Sequence, residues 1–532
     1  MSLRPAGARW QDNLKNRING GTQMTEMKQS FTGAPTTKDV SWDSILWKKA
    51  NSEVKRLQMR IAKAEREGKK GRVKALQRIL TCSFYAKSLA VKRIVVNKGA
   101  KTPGVDGIIW RTSRQKIQAI LSLKGRGYKP QPTRRIYVAK KQKGKLRPIS
   151  IPTMKDKAMQ ALWLMALIPI AEERADPNSY GFRPKRSAQD AREQCFNVLA
   201  KGKSAKWVFE GDIYSCFDKI SHEWLIENIP MDKNVLKKFL KAGFMDKQKL
   251  YPTEIGTGQG SIISPTLAVM ALSGIEQKIR STRKRIRDKE KVNFVSYADD
   301  FVITGASPEL LKEKIIPIVS DCLKEVGLEL SREKSRITHI EEGFDFLGFN
   351  VRTYNETLLI KPAKANIKAF LADVRSTIKE NYGAKTENLI YLLNPKIRGW
   401  ANYFSSSVSS KTYSYVDEMI YQALRAWMLR RHPNKSKSWI YRKYFTRCGF
   451  SNWNFYTKIK DKDGKTIPLY LYKASKTSIK RHIKIRSKAN PYNPEFNDYF
   501  KQRAMTNKTR KSHDKSSVLN DYKLLGDTCC LT

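Results

Sequence analysis

Two short apolar runs, residues 293–296 and 301–304, follow one another in this chain with only Tyr297-Ala-Asp299-Asp300 between them. Runs rich in β-branched and aromatic residues predict strands, and so short a connection predicts a tight antiparallel hairpin. Neighbouring aspartates at the bend of a hairpin repel each other unless a cation bridges them, and carboxylate oxygens suit Mg²⁺. The hairpin therefore predicts a sheet that holds a divalent ion at one end. An exposed acidic turn is the alternative.

A third apolar run, residues 208–213, carries a third carboxylate, Asp212. If this strand lies beside the hairpin, Asp212, Asp299 and Asp300 can hold two Mg²⁺ ions ~3.5–4 Å apart. That arrangement aligns an attacking 3′-hydroxyl with the α-phosphate of a nucleotide. For adjacent aspartates taken alone, the alternative of an exposed acidic turn beside an unrelated strand end is the stronger interpretation, and nucleotidyl transfer is favoured only by the further motifs of the chain.

The chain is strongly basic, with 103 Lys and Arg against 49 Asp and Glu among 532 residues, a formal net charge of +54. Because 40% of the residues are hydrophobic, the chain can build a packed core and is not a disordered polycation. Such a charge indicates a polyanionic partner, nucleic acid first and an anionic membrane surface second. The longest apolar run, residues 161–171, falls short of the ~20 residues of a membrane span, so no membrane segment is predicted.

The pattern of apolar residues divides the chain. Helical spacing on both sides of residues 68–71 predicts two basic helices, and the mixture of β-like and helical runs that follows predicts an α+β core. From Ile367 the apolar residues share one helix face, which predicts a separate helical domain. Residues 431–488 combine many cations with aromatic residues, as single-stranded nucleic acid requires. A solvated surface with a few core aromatics is the alternative there.

The aspartate hairpin belongs to an ordered set of motifs that resembles reverse transcriptases, and more narrowly the reverse transcriptase/maturases encoded within group II introns. The resemblance covers about residues 42–500. The matching segments are, in chain order, Lys101-Thr-Pro-Gly-Val-Asp106-Gly107, Arg134-Arg-Ile-Tyr-Val-Ala-Lys140, Lys145-Leu-Arg147-Pro-Ile-Ser-Ile-Pro152, Asn178-Ser-Tyr-Gly-Phe-Arg183-Pro, the strand that contains Asp212, Gly256-Thr-Gly-Gln259-Gly260-Ser-Ile-Ile-Ser-Pro265, the Asp299-Asp300 hairpin, Gly327-Leu-Glu-Leu-Ser-Arg-Glu-Lys334, Phe344-Asp-Phe-Leu-Gly348-Phe and Asn394-Pro-Lys-Ile-Arg398-Gly-Trp400-Ala-Asn-Tyr403.

The resemblance implies an α+β right-hand polymerase, with fingers and palm between a helical N-terminal extension and a helical thumb. The expected domains are a disordered lead-in over residues 1–38, the N-terminal extension over 39–110, the fingers and palm over 111–360, the thumb or maturase domain over 361–448, a basic DNA-binding region over 449–505 and a disordered tail over 506–532.

The resemblance also implies a role for each residue around the aspartates. Asp212, Asp299 and Asp300 would ligate two Mg²⁺ ions, with Ile213 offering its backbone carbonyl. Phe217 occupies the position of an aromatic gate that excludes a ribose 2′-hydroxyl, which argues for deoxynucleotides; a core aromatic is the alternative.

Further positions match residues that contact the nucleotide or the nucleic acid. Lys140 and Arg147 would contact the incoming triphosphate, Lys334 would protonate the pyrophosphate leaving group, and each of these could instead be a solvated cation. Gln259 would pack on the template side of the nascent pair. The residues expected to bind RNA or DNA are Arg398, Trp400, Tyr403, Arg442 and Lys443.

Two departures from the family pattern stand out. Gly258-Gln259-Gly260-Ser261 replaces the usual Pro-Gln-Gly-Gly, which puts fidelity or processivity in doubt. Many relatives end in an HNH endonuclease, whereas the chain after residue 500 offers only His513 and the adjacent Cys529-Cys530. The expectation is a chain without DNA nicking activity, whose cDNA primer comes from elsewhere.

The expected function is therefore twofold: binding the parent group II intron RNA for splicing and reverse splicing into target DNA, then copying that RNA into cDNA with dNTPs. A maturase that only binds RNA and a domesticated or defence-associated reverse transcriptase are the alternatives. Seven scattered cysteines without a C-x-x-C pair, and no secretory signal, predict reduced thiols in a cytosol-like compartment. The expected location is the bacterial cytoplasm in association with the nucleoid, and an organellar location is the alternative.

Overall fold

The computed structural model describes residues 41–139, 146–281, 290–448, 451–460 and 464–507. The lead-in over residues 1–38 and the tail beyond residue 507 lie outside these ranges. Within them, no helix combines the length and apolar character that crossing a membrane requires.

Helices occur along most of the described chain. They are α1 (Trp47–Arg66), α2 (Lys70–Cys82), α3 (Phe84–Val96), α4 (Ser113–Ser122), α5 (Met154–Arg174), α6 (Ala188–Leu199), α7 (Cys216–Lys219), α8 (His222–Asn228), α9 (Lys233–Leu240), α10 (Ser264–Ala271), α11 (Ile275–Ser281), α12 (Ile316–Glu325), α13 (Lys364–Glu380), α14 (Thr386–Phe404), α15 (Ser410–Arg431) and α16 (Lys437–Tyr444).

The strands form four sheets in the described chain. They are β1 (Thr133–Ala139), β2 (Leu146–Ile151), β3 (Trp207–Asp212), β4 (Phe244–Asp246), β5 (Lys249–Tyr251), β6 (Asn293–Tyr297), β7 (Asp300–Gly305), β8 (Arg336–His339), β9 (Phe344–Phe346), β10 (Phe349–Tyr354), β11 (Thr357–Pro362), β12 (Phe445–Cys448), β13 (Ser451–Lys460) and β14 (Thr466–Tyr470).

The N-terminal helices pack on the long helix α5. The two basic helices expected around residues 68–71 are confirmed as α1 and α2, with Gly68 in the left-handed region at φ +67° between them. Helix α5 is buried around most of its circumference, as expected for a helix covered on several sides. Its first turn is capped by the Thr153 side chain, which accepts a hydrogen bond from the Asp156 N–H.

The fingers sheet has the strand order β2-β1-β4-β5, and the palm sheet has the order β6-β7-β3-β8. Along palm strands, side chains alternate between two hydrophobic cores, as the two-residue period of a strand requires. One core contains the N-terminal helices and the other contains the thumb. Side chains facing the first core include Phe209, Phe294 and Phe301, and those facing the second include Val208, Val295 and Val302.

The thumb consists of helices α13 to α16, which pack around the sheet β11-β10-β9 and the sheet β12-β13-β14. The helical run expected from Ile367 onward is present as α13, which buries Phe370, Leu371, Val374 and Ile378 on one face. Its assignment to a separate domain stays a prediction. The three-stranded sheet after residue 444 was not expected from the sequence.

The segment after β14 returns to the palm. Residues 482–503 cross the side of the palm next to helix α6, and Lys55 of α1 donates to the Pro491 carbonyl. We call residues 482–503 the C-terminal strap.

Candidate active site

The register of the palm sheet places Asp212 directly opposite Asp300. Strands β3 and β7 are antiparallel with Gly211 opposite Phe301 and Asp212 opposite Asp300, and Tyr297 of β6 faces Asp300 from the other side. Residues opposite each other on antiparallel strands project to the same face of the sheet. Because Asp299 occupies the bend between β6 and β7, the three carboxylates gather at one end of the sheet.

The bend that carries Asp299 packs closely against the backbone of residues 180–181. Ala298 adopts φ +60°, a left-handed conformation that is uncommon for a residue with a side chain. A Cβ atom at Gly181 would lie 2.1 Å from the Ala298 nitrogen, so only glycine fits there. The Tyr180 N–H donates to the Ser296 carbonyl at 2.9 Å and fixes the approach of this segment. The backbone therefore sets the position of the carboxylates.

Lys334 provides a positive charge at the centre of the site. Its Nζ lies 3.0 Å from both carboxylate oxygens of Asp212, although the lysine side chain is more than half exposed. Burial and the nearby Asp212 raise the pKa of Asp299, while Lys334 and Arg147 oppose that shift. Burial and the two other carboxylates raise the pKa of Asp300 to about 6 even though part of its surface is solvent-exposed. The site therefore concentrates more negative charge than its own cations balance.

Reverse transcriptases generally use divalent metal ions, and the donors at this site are hard carboxylate oxygens of the kind that Mg²⁺ prefers. The raised pKa values of Asp299 and Asp300 show that additional positive charge would stabilise the ionised site. In the part of the chain that the structure describes, however, no three or more His, Cys, Asp or Glu side chains form a metal-binding group as they stand. The carboxylate oxygens fit a divalent ion chemically, but the described side chains are not arranged around a single ion position.

A narrow crevice beside the aspartates is lined by Phe182, Cys216, Phe217, Ala298 and Asp299. The Phe217 ring is half-buried and meets the Phe182 ring edge to face at 6.0 Å between centroids. The expected gate residue thus lies next to Asp299. Ile213 is buried and pairs with Leu330 on the other side of the strand end.

Of the two cations expected at the triphosphate, only Arg147 lies in the described residues, and Lys140 lies outside them. Arg147 is exposed on β2, opposite Val138 of β1. Its charge lowers the pKa of Asp299 against the effect of burial, so the fingers present a cation toward the carboxylates.

The departures at Gly258 and Ser261 fall in a loop that joins palm and fingers. The Ser150 N–H of β2 donates to the Gln259 carbonyl at 2.6 Å, and the Gln259 amide donates to Asp218 at 3.2 Å. Gly260 has φ +105°, and a Cβ there would lie 2.7 Å from the Ser150 carbonyl oxygen. The Ser261 N–H donates to the Gly258 carbonyl at 3.1 Å, so the altered sequence still forms a hydrogen-bonded turn.

Comparison with known families agrees with this architecture. The family model described as "Reverse transcriptase (RNA-dependent DNA polymerase)" matches residues 138–351, "N-terminal domain of reverse transcriptase" matches 42–123, and "Group II intron, maturase-specific domain" matches 367–445. The group II intron-encoded protein LtrA of Lactococcus lactis subsp. cremoris is 29% identical over 423 residues, which cover 62% of this chain and 70% of LtrA.

The chain belongs to the group II intron-encoded reverse transcriptase/maturase family. It is a maturase with an RNA-directed DNA polymerase domain. Protein YkfC of Escherichia coli K12 is 32% identical over 323 residues, which cover 52% of this chain and 82% of YkfC. The telomerase of Candida albicans, solved with a telomeric RNA fragment, aligns with 13% identity and a TM-score of 0.34 over 59% of this chain and 64% of that one, too distant for any argument.

In this maturase the segment Asn394–Tyr403 lies on helix α14, and its aromatic residues Trp400 and Tyr403 are half-buried. The Trp400 ring stacks on Phe370 at 4.7 Å between centroids, and its Nε1–H donates to Asn366 at 2.9 Å. The Tyr403 hydroxyl donates to the Leu347 carbonyl at 2.9 Å. Trp400 thus packs among thumb helices, and Tyr403 joins α14 to the sheet β11-β10-β9. The expected contact of both residues with RNA stays a prediction.

The expected RNA-binding cations of the maturase domain are exposed. Arg398 lies on the solvent side of α14, with its guanidinium 4.9 Å from the centre of the Tyr472 ring. Arg442 and Lys443 are exposed on α16, and Lys443 lies 4.7 Å from the centre of the Trp439 ring. These three side chains are exposed, whereas the two aromatic residues of the motif are half-buried.

Two positioning residues were missed in the sequence. Asn394 joins α14 to the C-terminal region, because its Nδ2 donates to the Tyr470 carbonyl at 3.0 Å and its Oδ1 accepts from the Tyr472 N–H at 2.7 Å. Asp190 of α6 anchors the strap by accepting from His482 at 2.9 Å and from Arg503 at 3.1 Å. Asn394 had a signal, since it begins a recognised motif. Asp190 had none, because its partners lie about 300 residues away in the sequence.

The strap changes the interpretation of the region over residues 449–505. Arg186 donates to the carbonyls of Ser487 and Ala489, and Ser487 donates to Asn178, which lies in the segment behind the bend that carries Asp299. This part of the expected DNA-binding region therefore braces the palm. A DNA-binding role for the region as a whole stays a prediction.

The N-terminal family match extends to residue 123, beyond the expected domain boundary at 110, and α4 packs with the helices of the N-terminal extension.

Proposed function

We propose that this maturase copies RNA into DNA at the site formed by Asp212, Asp299 and Asp300, and that it binds its parent group II intron RNA to promote splicing and reverse splicing into DNA. The observation that carries the first half is the register of β3 and β7, which puts Asp212 opposite Asp300 next to the Asp299 bend. Membership of the family supports the second half.

Asp212, Asp299 and Asp300, with the Ile213 carbonyl, would hold two Mg²⁺ ions. When bound, such ions activate a primer 3′-hydroxyl and stabilise charge on the α-phosphate of a dNTP. The chain's own residues supply the rest. Arg147 would hold the triphosphate by its guanidinium fork, because it reaches the site from the fingers.

Three further side chains would have separate roles in nucleotide incorporation. Phe217 would exclude a ribose 2′-hydroxyl, since its ring borders the crevice next to Asp299. Lys334 would give a proton to the pyrophosphate leaving group, because its ammonium already stands beside the reacting centre. Gln259 would support the template side of the new base pair from the loop that joins palm and fingers.

Splicing needs no nuclease site in the protein, because the intron RNA carries the chemistry and the protein supplies binding energy for its active fold. The exposed cations Arg398, Arg442 and Lys443, within a chain of net charge +54, support an RNA-binding surface on the maturase domain. Target DNA would be bound by the basic C-terminal region.

The test is single-nucleotide incorporation on an RNA template with a DNA primer, Mg²⁺ and the matching dNTP. We expect Asp299→Asn to lower the rate by ~10³-fold or more, equivalent to ~4 kcal/mol of transition-state stabilisation. Asp321→Asn is the matched control, because Asp321 is an exposed carboxylate that pairs with Lys324 at 3.5 Å away from the site. No incorporation by the native chain would favour the maturase that only binds RNA, and full activity of Asp299→Asn would contradict the proposed site.

A further inference from the structure

The loop that carries Gln259 is fastened to the segment that carries Phe217. The Thr257 N–H donates to the Phe217 carbonyl at 2.6 Å, and the Gly256 N–H donates to the Ile220 carbonyl at 2.9 Å. The imidazole Nε2 of His222 lies 2.7 Å from the Gly256 carbonyl oxygen. Three hydrogen bonds within two residues of the loop therefore tie it to helices α7 and α8.

The loop and the Phe217 segment are in close backbone contact. Gly256 has φ +78°, and a Cβ atom there would lie 2.5 Å from the Asp218 carbonyl oxygen. The loop backbone thus touches the backbone of the residue that follows Phe217. Because close-packed backbones transmit displacement, a shift of Gly256 has to move the Phe217 segment as well.

Burying a histidine side chain at position 222 costs free energy. Its side chain is 5% exposed, and its Nδ1 has no hydrogen-bond partner among the described residues. Since a carbonyl oxygen can only accept, the bond to Gly256 requires the Nε2–H tautomer. Burial and the charge of Lys241 lower the pKa of His222 against the opposing effect of the bond to Gly256, which favours the neutral ring. An apolar side chain would fill the space without a buried unpaired nitrogen, so packing alone does not account for a histidine.

We propose that His222 is a positioning residue for sugar selection, which holds the Gly256–Gln259 loop and through it the Phe217 backbone at the spacing that separates a 2′-hydrogen from a 2′-hydroxyl. The inference rests on the proposed function, in which Phe217 faces the sugar of the incoming nucleotide. His222 does not touch the nucleotide in this account. Its effect reaches the sugar through two backbone hydrogen bonds.

A matched pair of amides tests this inference. Gln places its Nε2 donor close to the position of the histidine Nε2, whereas Asn places its donor near Nδ1, too short to reach the Gly256 carbonyl. We expect His222→Asn to lower the dNTP-over-rNTP selectivity, measured as the ratio of kcat/KM values in single-nucleotide incorporation, by about 10-fold. His222→Gln should stay within about 3-fold of the native ratio, because it keeps the donor.

Two further variants make the result interpretable. Phe217→Ala is the benchmark and should lose about 100-fold in selectivity. His339→Phe is the control, because His339 lies on β8 opposite Trp207, at the far end of β3 from Asp212. Both His222 variants keep a polar side chain of moderate size, and equal melting temperatures establish that they are folded.

The outcomes separate the two proposals. Selectivity lost in His222→Asn and restored in His222→Gln supports the positioning role. If His222→Asn and His222→Gln slow dNTP and rNTP incorporation by the same factor, His222 is merely structural and the inference is overturned, while the polymerase site stands. Native selectivity in Phe217→Ala would overturn the gate and this inference together. Absence of incorporation by the native chain would overturn the proposed function itself.

Discussion

Asp212 and Asp300 are direct register partners on β3 and β7, and Lys334 closes the arrangement by placing its ammonium 3.0 Å from both oxygens of Asp212. The palm thus holds three carboxylates and one lysine at a single sheet end. Since the carboxylates come from residues 212 and 299–300, their meeting depends on strand pairing and not on local sequence. Each of these four residues can be substituted and tested separately.

Lys334→Met should slow chemistry far more than it changes stability. We expect the single-turnover incorporation rate to fall by ~10²-fold, because a proton donor beside the leaving group is lost. The free energy of unfolding should change by less than ~1 kcal/mol, since the Lys334–Asp212 pair is substantially solvent-exposed on the lysine side. Rapid-quench kinetics and urea unfolding measure the two quantities, with Lys324→Met as the control. Equal loss of rate in both variants would argue against a special role for Lys334.

The anchor of the C-terminal strap predicts a pH dependence of stability. Burial opposes ionisation of Asp190, but the bonds from His482, the Ile485 N–H and Ser187 outweigh it and lower its pKa to about 2. A carboxyl with a depressed folded-state pKa stabilises the fold above its ordinary value, and that contribution is lost as the pH falls from about 4 toward about 2.

Asp190→Asn should therefore lower the free energy of unfolding at pH 7 by about 2 kcal/mol, and the deficit should shrink as the pH falls below 4. Urea unfolding from pH 7 to pH 3 measures this difference. Asp498→Asn is the control, because Asp498 is an exposed strap carboxylate that pairs with Lys501 at 3.1 Å. A deficit that stays constant down to pH 3 would contradict the ionic anchor.

Trp400 and Arg398 should separate packing from RNA contact on the same helix. Trp400→Ala should cost ~3 kcal/mol of unfolding free energy, because its ring stacks on Phe370 inside the thumb. Arg398→Ala should leave stability nearly unchanged but weaken intron RNA binding, and reduce the slope of log K against log salt by about one. Filter binding at several salt concentrations, with calorimetry, distinguishes the two. A larger salt-slope change for Trp400→Ala than for Arg398→Ala would contradict this division.

The sequence predicted elements whose pattern is local. The apolar runs at 208–213, 293–296 and 301–304 became β3, β6 and β7, and the helix face from Ile367 became α13. The motif order also identified the aspartates that the palm brings together. Each of these signals lies within a few residues, where periodicity or a motif records it.

Features that depend on distant contacts were not predictable. Strands β12 to β14 lie in a Lys- and Arg-rich region whose alternation is weak, and they are stabilised by packing against the thumb helices. The stacking of Trp400 on Phe370 was not predictable either, because a motif fixes the position of a residue but not the direction of its side chain. The bond between Asp190 and His482 spans about 300 residues, and no local pattern records it.

In the proposed function, copying depends on the palm carboxylates, whereas splicing depends on RNA binding elsewhere in the chain. The most direct measurement scores both activities in the same preparations: RNA-templated primer extension, and splicing of the parent intron, by the native chain, Asp299→Ala and Asp321→Asn. We predict that Asp299→Ala loses cDNA synthesis by ~10³-fold yet supports splicing at the native level, and that Asp321→Asn keeps both. Loss of splicing together with cDNA synthesis in a folded Asp299→Ala protein would contradict the account.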